Sequence, residues 1–394
     1  MSVGMWLNLG GEDLDFLFAI KYYKSNKKRF FPIIITLILV VFMLCILEVL
    51  SSSLSYSTYM SWVKPVENMS IVSAVSPAKP LSSLDISSVE EIDLVDKVMP
   101  IVFNSIYIKN NVGGNTDTML FAVKEENRDF LMKHLKVEVK SGRLPKEGTN
   151  EIAIHWRVVA NKKLKIGDHI GKKVDSTERL EGDYEIVGLL EGDPIVSFSS
   201  IEYIFKDESE NSQNLKQYGM CLIPKNNQRD NLNETLVEMK NEKLRVYSYD
   251  TGLSSYHSAQ DMIDLILKII GGILTVVLAL MIGLIGYIFY YQRRNEFGIL
   301  LALGFRGKRI MSQILIEIAI ITFGGFVLGI LFMIISSLLL NHFLFMPKGL
   351  PLEIWSISYI KTTVFIPVSI FVFSFVPVWR MIRKLDPISI IEGE

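Results

Sequence analysis

Four apolar stretches constrain this chain more than any other feature of its sequence. A helix needs about 20 apolar residues to cross a hydrocarbon core of roughly 30 Å, because lipid offers no partner for backbone N–H and C=O groups. Hydrophobic residues make up 49% of the sequence and are concentrated in blocks. Four membrane-spanning helices are therefore predicted, at residues 30–50, 263–291, 310–343 and 359–379.

Lysine and arginine near the span ends predict the orientation, because positively charged loops are retained in the cytoplasm. The connection 344–358 holds only Lys348, together with Glu353. Both termini and the loop 292–309 are thus expected in the cytoplasm, and the large segment 51–262 outside it. The three basic clusters behind this orientation are Lys21, Lys24, Lys27, Lys28 and Arg29; Arg293, Arg294, Arg306, Lys308 and Arg309; and Arg380, Arg383 and Lys384 in the cytoplasmic tail 380–394.

The N-terminal segment 1–29 is expected to form an amphipathic cytoplasmic helix. From Asp13 to Arg29, apolar residues such as Phe16 and Tyr23 are combined with lysines that cluster toward the first span, as in a helix lying in the headgroup layer. An unstructured basic tail is the alternative. A cleaved signal peptide is disfavoured, because its apolar region would be only about 7 to 15 residues long.

The segment 51–262 is long enough to bury a core of its own, as one lobe or two. Apolar alternation at 151–154 and 184–188 predicts half-buried strands, and a polar helix is expected between Glu125 and Leu135. The region 70–90 is rich in Ser and Pro and favours a flexible loop. We therefore expect a large mixed α/β domain between the first and second membrane helices.

The sequence carries little that indicates an enzyme. A phosphate-binding loop needs G-x-x-x-x-G-K-[ST], and around Lys308 this pattern is broken by Ala302 and Arg309. The 5 histidines form no H-x-x-x-H pair, and no G-x-S-x-G motif occurs. One cysteine lies in the first span and the other in the outer domain, so that domain has no internal disulfide. No catalytic residue, metal or cofactor is expected, and the formal net charge of -1 argues against nucleic acid as a partner.

Ionisable residues near the span ends are expected to anchor at the interface, where snorkelling removes most of the cost of their charge. They are Glu48, Asp264, Lys268 and His342. Glu317 differs, because it lies about two turns inside the third span. It either pairs with an Arg or Lys of the cytoplasmic loop or lies at a helix contact. A proton relay would need acidic or histidine neighbours, which the sequence does not place there.

Three glycines of the third span, Gly324, Gly325 and Gly329, indicate close helix packing. Gly325 and Gly329 have the small-xxx-small spacing that lets two helix backbones approach each other. The contact lies either within the bundle of one chain or between two copies in a dimer.

The segment RRNEFGILLALGFRGKRIMSQILIEIAIITFGGFVLG resembles the signature of the FtsX-like permease domain, found in ABC transporter subunits of the macrolide-exporter (MacB) and lipoprotein-release type. The family pattern is R-x-x-E-[IF]-G-I-L-x-A-[LI]-G in a loop, a Glu early in the next span, then a glycine pair and a further glycine. The matching residues are Arg293, Glu296, Phe297, Gly298, Ile299, Leu300, Ala302, Leu303 and Gly304, followed by Glu317, Gly324, Gly325 and Gly329.

Two further segments resemble the same family. GRLPKEGTNEIAIHWRVVANKKLKIGDHI, at 142–170, is similar to its outer-domain segment with G-R-x-P, N-E-[IV] and L-x-[IV]-G-D elements. KLDPISIIEGE resembles its usual C-terminal ending, [RK]-x-x-P-[IV]-x-x-[IL]. The resemblance covers nearly the whole chain, and is least specific from about 190 to 258. It implies a MacB-like core domain at 51–262 and an FtsX-like permease domain at 263–388.

The resemblance also implies a permease subunit of a bacterial type VII ABC transporter, acting in the cell membrane as a homodimer or a heterodimer with a related permease. ATP would be bound by a separate ATPase subunit, which would dock on a coupling helix ended by Gly304. The apolar face of that helix, with Phe297, Leu300, Leu301 and Leu303, would insert into the ATPase and transmit motion to the outer domain, a mechanism called mechanotransmission. The docking residues implied are Arg293, Arg294, Glu296, Phe297, Gly298, Ile299, Leu300, Ala302 and Gly304.

The cargo implied by this family is a peptide, an antibiotic or a lipid-linked molecule. Two alternatives stay open, namely a regulator that activates a cell-wall hydrolase and an antimicrobial-peptide sensor without transport. These three possible functions imply membrane lipid as a partner. They also imply one further partner, which is an extracytoplasmic adaptor, a lipoprotein or a hydrolase. A secondary transporter is disfavoured, because the four spans lack paired broken helices and midplane charges.

Overall fold

The computed structural model describes residues 27–75, 79–110, 114–205, 215–239, 244–355 and 363–383, with side chains from Phe31 onward. The helices are α1 (Lys27–Thr58), α2 (Ser83–Glu90), α3 (Glu125–Leu135), α4 (Trp156–Lys162), α5 (Ile201–Ile204), α6 (Arg229–Glu238), α7 (Tyr249–Gln292), α8 (Arg294–Ala302), α9 (Gly307–Leu340) and α10 (Phe365–Arg383). The strands are β1 (Ser70–Ala74), β2 (Val95–Pro100), β3 (Val102–Lys109), β4 (Asn115–Val123), β5 (Glu138–Gly142), β6 (Glu151–His155), β7 (His169–Ile170), β8 (Tyr184–Glu191), β9 (Val196–Ser200), β10 (Gly219–Pro224) and β11 (Leu244–Tyr247).

The chain divides into two compact units. The membrane unit contains the residues up to Val49, Asp264–Leu339 and the residues from Ile354 onward. The α/β unit contains Leu50–Ile263 and Leu340–Glu353, so the short connection after the third span belongs to it. The helix expected at Asp13–Arg29 lies outside the described residues except for its last three positions, which begin α1, and the tail after Arg383 lies outside them as well.

Within the described ranges, four helices are long and apolar enough to cross a membrane, namely α1, α7, α9 and α10. Together with the α/β unit they confirm the expected fold class. The largest differences from the spans expected from hydropathy are in α1, which continues to Thr58, and in α7, which begins at Tyr249. The extension of α7 is polar, so hydropathy alone does not reveal it. Ser248 precedes the helix and caps it, because its hydroxyl accepts a hydrogen bond from the Thr251 N–H.

Glycines bring α1 and α9 into close contact within the membrane unit. A Cβ on Gly329 would lie 2.7 Å from the Val41 Cβ, and one on Gly325 would lie 3.0 Å from the Leu37 Cβ. Such small residues let helix backbones approach closely in lipid. Of the two alternatives for these glycines, the structure shows the contact within one chain. A Cβ at Gly324 would meet no atom within 4 Å, so Gly324 takes no part in this contact between α1 and α9.

The α/β unit is built on two sheets. The smaller has the order β11-β1-β10-β2, and the larger has the order β3-β4-β9-β6-β8-β5, with β7 paired to β8. The pairs β4–β9 and β6–β8 are parallel and the other strand pairs are antiparallel. Residues from both sheets, such as Ile71 and Cys221 from the smaller and Phe121 and Phe198 from the larger, form one buried cluster. The two sheets therefore share a core and do not form independent lobes.

Strand β6 is buried along its whole length, which corrects the half-buried strand expected at 151–154. Ile152 and Ile154 pack into one apolar cluster with Val158, whereas Ala153 packs into the other. Successive side chains of a strand point to opposite faces of a sheet. Because both faces of this sheet are covered here, the alternation marks two buried faces and not one exposed face.

Most of the region 70–90, expected as a flexible loop, is regular. β1 lies in the smaller sheet, and α2 starts with a capping box in which Ser82 and Asp85 satisfy each other's backbone N–H groups. The S-x-x-D spacing at Ser82 and Asp85 was a usable sequence signal for this helix start. The helix expected between Glu125 and Leu135 is present at those residues as α3.

Candidate functional site

The short helix α8 lies between the long helices α7 and α9. It ends in a Schellman motif, in which the N–H of Gly304 donates to Leu301 O at 3.0 Å and the N–H of Phe305 donates to Leu300 O at 3.1 Å. Gly304 has a φ of 92°, a left-handed conformation that favours glycine. The conformation of Gly304 therefore ends α8 and turns the chain into α9.

A buried ion pair fixes the start of α8. The Arg293 Nη1 lies 2.9 Å from the Glu317 Oε2 on α9, and the two side chains are only 6% and 0% exposed. The Arg293 Nε also lies 3.3 Å from the exposed carboxylate of Glu296. The structure therefore shows Glu317 paired with an arginine of the loop, which is one of the two roles considered for it.

Aromatic rings surround the Arg293 guanidinium. Its central carbon lies 5.0 Å from the centre of the Phe297 ring and 5.7 Å from that of Phe289. Arginine over an aromatic face is attracted by the negative charge on that face. The sequence analysis missed Phe289, which lies near the end of α7, four residues before Arg293.

Phe297 faces the bundle and not the surface. It is buried in an apolar cluster with Ile310 and Ile314 of α9 and Val378 of α10, and Leu300 packs partly against the same cluster. This corrects the expectation that Phe297 lies on the partner-facing side of α8. The sequence could not show which apolar side of this short helix faces its own chain.

The outer surface of α8 is a mixed apolar and polar patch, here called the α8 patch. Leu303 and Ile299 are 61% and 45% exposed, although both are aliphatic. The patch consists of Asn295, Glu296, Ile299, Ala302, Leu303 and Arg306, all of which are exposed.

The remaining site residues from the sequence analysis lie around this patch. Gly298 is buried beneath it, and Leu301 is partly buried. Arg294 donates a hydrogen bond to the Tyr291 hydroxyl at 2.6 Å, and this contact directs it along α7. Lys308 and Arg309 are exposed at the start of α9 and add positive charge beside the α8 patch.

Helix α8 thus carries exposed aliphatic and polar side chains on one side, and a buried ion pair holds its first turn between two long helices. Exposed aliphatic residues with polar neighbours are typical of a surface that binds a protein.

Comparison with known proteins identifies related sequences. Residues 268–385 match the model of the FtsX-like permease C-terminal family. The chain is 28% identical over 284 residues to a putative hemin transport system permease protein HrtB of Staphylococcus haemolyticus, covering 70% of this chain and 74% of that protein. A protein of the same name from Staphylococcus epidermidis is 24% identical over 263 residues, covering 66% of this chain and 69% of its own length.

Two solved structures were also matched. The periplasmic region of MacB from Actinobacillus actinomycetemcomitans matches with a TM-score of 0.29 and 11% identity, covering 49% of this chain and 94% of its own. The extracellular domain of the noncanonic ABC-type transporter YknZ from Gram-positive bacteria matches with a TM-score of 0.27 and 15% identity, covering 45% of this chain and 99% of its own.

Proposed function

We propose that this chain, a permease of the FtsX-like type, is driven by a separate ATPase subunit that docks on the α8 patch. The exposure of Ile299 and Leu303 supports this proposal, because these neighbouring aliphatic side chains form an apolar surface that a docked partner would cover. The exposed basic residues beside the patch would meet acidic residues of that partner and would steer its approach.

The contacts of α8 suit the transmission of force. The Arg293–Glu317 ion pair joins the helix to α9, and the Phe297 side chain packs against both α9 and α10. A displacement of α8 by a docked subunit would therefore move these helices with it, because a packed core has discrete arrangements and does not deform continuously.

Helix α7 offers a path to the α/β unit. It is a single helix of 44 residues, which corresponds to about 66 Å at 1.5 Å per residue. Within the α/β unit, Gln260 of α7 accepts a hydrogen bond from Ser55 of α1, and the rings of Tyr256 and Tyr59 meet edge to face at 5.6 Å. Movement of α7 would thus reach the α/β unit without a continuous pore, which is the mechanotransmission that we propose.

We place both termini and α8 in the cytoplasm and the α/β unit outside it, following the basic clusters around the spans. We also propose that two permease subunits act together, as a homodimer or a heterodimer. Large apolar residues such as Ile273, Val277 and Leu284 of α7 are exposed within the described part of the chain, where lipid or a second permease would cover them.

The cargo proposed is a hydrophobic or amphiphilic molecule, in the class of peptides, antibiotics and lipid-linked compounds. The curated relatives are named for hemin transport, which makes hemin the first compound to test. If hemin is a cargo, deletion of the chain lowers the hemin concentration that stops growth, and the intact chain restores it. Unchanged hemin tolerance, together with altered cell separation, would favour regulation of a cell-wall hydrolase instead.

Docking is tested by copurification. Leu303→Lys, which places a charge in the α8 patch, is expected to lower the amount of ATPase that copurifies with the chain by about tenfold. Leu84→Lys is the matched control, because Leu84 is a highly exposed leucine of the α/β unit. Equal copurification with both variants would contradict docking on the α8 patch.

A further inference from the structure

The connection 341–353, which follows the third span, is anchored inside the α/β unit. Leu350 is only 8% exposed and packs into the apolar cluster that also holds Val158 of α4. Further along, the Glu353 N–H donates to the Ser53 hydroxyl of α1 at 2.8 Å. Connecting segments usually run over the surface of a protein. The burial of Leu350 therefore indicates a specific attachment of this connection to the core.

Gly349 allows this attachment, because its backbone lies directly against α4. A Cβ on Gly349 would lie 2.5 Å from the Arg157 carbonyl oxygen and 2.7 Å from the Arg157 Cα. Gly349 also has a φ of 67°, in the left-handed region that favours glycine. Any side chain at this position would push the connection away from α4.

Asn161, at the end of α4, ties the connection to strand β3. Its side-chain amide donates to Lys348 O at 3.3 Å and to Lys109 O at 3.0 Å. Its side-chain oxygen accepts the Lys109 N–H at 2.9 Å. Backbone polar groups need such partners when they lie outside regular helices and sheets. One side chain on α4 thus holds backbone groups of two other segments in place.

The connection and α7 are attached to different sheets of the α/β unit. Leu350 packs into the cluster formed by α4 and the larger sheet. Helix α7 instead follows β11 of the smaller sheet, and Asp250 in its first turn accepts a hydrogen bond from Asn233 of α6 at 2.7 Å. Asn233 in turn accepts one from Ser70 of β1 at 2.8 Å. The smaller sheet therefore holds α7, and the larger sheet holds the connection.

Helix α9 links the connection to α8. Near one end of α9, Glu317 is ion-paired with Arg293 at the start of α8. The helix continues to Leu340, where the connection begins, and its 34 residues correspond to about 51 Å at 1.5 Å per residue. Because a packed helix moves as a unit, a displacement of α9 beside α8 would reach the connection.

We propose that the connection 341–353 is a second route by which movement of α8 reaches the α/β unit, and this route rests on the docking of an ATPase proposed above. Gly349 and Asn161 are its positioning residues. Along this route α9 moves the larger sheet, whereas α7 moves the smaller one. The two sheets share a core, so unequal movement of the two attachments changes the packing between them.

Hydrogen–deuterium exchange on the purified complex of the chain with its ATPase separates the two routes. Exchange is measured by mass spectrometry without nucleotide and with a non-hydrolysable ATP analogue. Peptides from α4 report on the connection, and peptides that cover residues 249–258 report on the start of α7. In the parent chain the analogue is expected to change the exchange of both sets of peptides by about tenfold, because both attachments move.

Gly349→Ala interrupts one route in this experiment. Its methyl group would overlap the Arg157 backbone, so the α4 peptides should lose their response to the analogue while the α7 peptides keep theirs. Gly148→Ala is the matched control. Gly148 has a φ of 68°, and a Cβ there would meet no atom within 4 Å, so this variant shares the backbone strain and not the contact. Both responses should stay at the parental level in the control.

Asn161→Ala is a milder variant that adds no backbone strain. It should lower the α4 response several-fold, whereas Asn231→Ala, at an exposed asparagine of α6, should leave it at the parental level. A parental α4 response in both Gly349→Ala and Asn161→Ala would overturn the second route. Loss of the α7 response together with the α4 response in both variants would also overturn it, because the two attachments would then move as one.

The parent complex shows whether a failure lies in the proposed function instead. If the analogue changes neither set of peptides although the ATPase copurifies, the drive by the ATPase is contradicted, and the second route with it. If the parent complex responds and the variants do not differ from their controls, only the second route is contradicted.

Discussion

The Arg293 guanidinium lies 2.9 Å from the Glu317 carboxylate, and both side chains are almost fully shielded from solvent. This pair joins the residue that precedes α8 to the inside of a candidate membrane span. Buried ion pairs add little net stability compared with apolar residues of similar volume, yet loss of one partner is costly. The pair therefore serves the geometry of α8 more than the stability of the bundle.

Removal of one partner of this pair is expected to destabilise the chain. Glu317→Leu leaves the buried Arg293 charge uncompensated and should lower the free energy of unfolding by about 3–5 kcal/mol. The double variant Arg293→Leu/Glu317→Leu should recover most of this loss, because it leaves no unpaired charge. Thermal unfolding of the detergent-solubilised chain measures both. A double variant as unstable as Glu317→Leu would show that the pair itself supplies the stability.

The glycine contact between α1 and α9 predicts a contrast between two neighbouring positions. Gly329→Val should destabilise the chain by about 1–3 kcal/mol or more, because its Cβ would overlap with Val41 and the α1 backbone. Gly324→Val should change stability little, because its Cβ meets open space. The unfolding temperatures of the two variants provide the comparison. Equal destabilisation by both would place Gly324 in a contact as well.

The α/β unit contains a histidine that predicts a pH dependence. Burial lowers the pKa of His155 from 6.5 to about 4, and the neutral ring accepts the Arg157 N–H at Nδ1 and contacts Gly192 O through Nε2. Between these two pH values the unfolded chain binds more protons than the folded chain. Stability is therefore complete above about pH 6.5 and falls as the pH decreases toward 4, by up to about 1.4 kcal/mol per pH unit.

His155→Gln removes this titration, so its unfolding temperature should depend less on pH between 6.5 and 4 than that of the parent chain. His257→Gln, at an exposed histidine, is the control and should retain the parental dependence. The measurement is thermal unfolding of the full chain at a series of pH values. A parental slope in His155→Gln would assign the pH dependence to other groups.

The pairing of α1 with α7 in the α/β unit predicts a separation of docking from transport. Tyr256→Ala removes the edge-to-face contact with Tyr59, an interaction of about 0.5–1.5 kcal/mol. Transport should fall several-fold, while copurification with the ATPase stays at the parental level, because the α8 patch is unchanged. A parallel loss of copurification would mean that the substitution disturbs the whole fold.

The sequence predicted the features that follow from the composition of long segments and from short motifs. The apolar blocks predicted four spans, and the E-F-G-I-L segment with its following glycine predicted a short helix in the loop, which is present as α8. Features that depend on tertiary contacts were not predictable. Hydropathy missed the polar start of α7 at Tyr249, and no local pattern showed that Phe297 faces its own bundle.

One cavity of the membrane unit, lined by Glu48 of α1, Lys268 of α7 and Phe365 of α10, could not be predicted from the sequence, because its walls come from three helices. Lys268 and Glu48 were interpreted separately as interfacial anchors, and only the structure brings them to one cavity beside a glycine pair. Strand β6 was predicted to be half-buried but is buried on both faces, for a related reason. A single strand does not show how many of its faces are covered, since this depends on the elements that pack on the sheet.

The central claim is that an ATPase subunit docks on the α8 patch, and site-specific photocrosslinking tests it most directly. A benzophenone amino acid at position 303 should capture an ABC ATPase in intact cells, identified by its G-x-x-x-x-G-K-[ST] motif in the crosslinked product. The same probe at position 84 should capture none. Equal capture of the ATPase at both positions, or none at 303 while the ATPase copurifies with the chain, would contradict the claim.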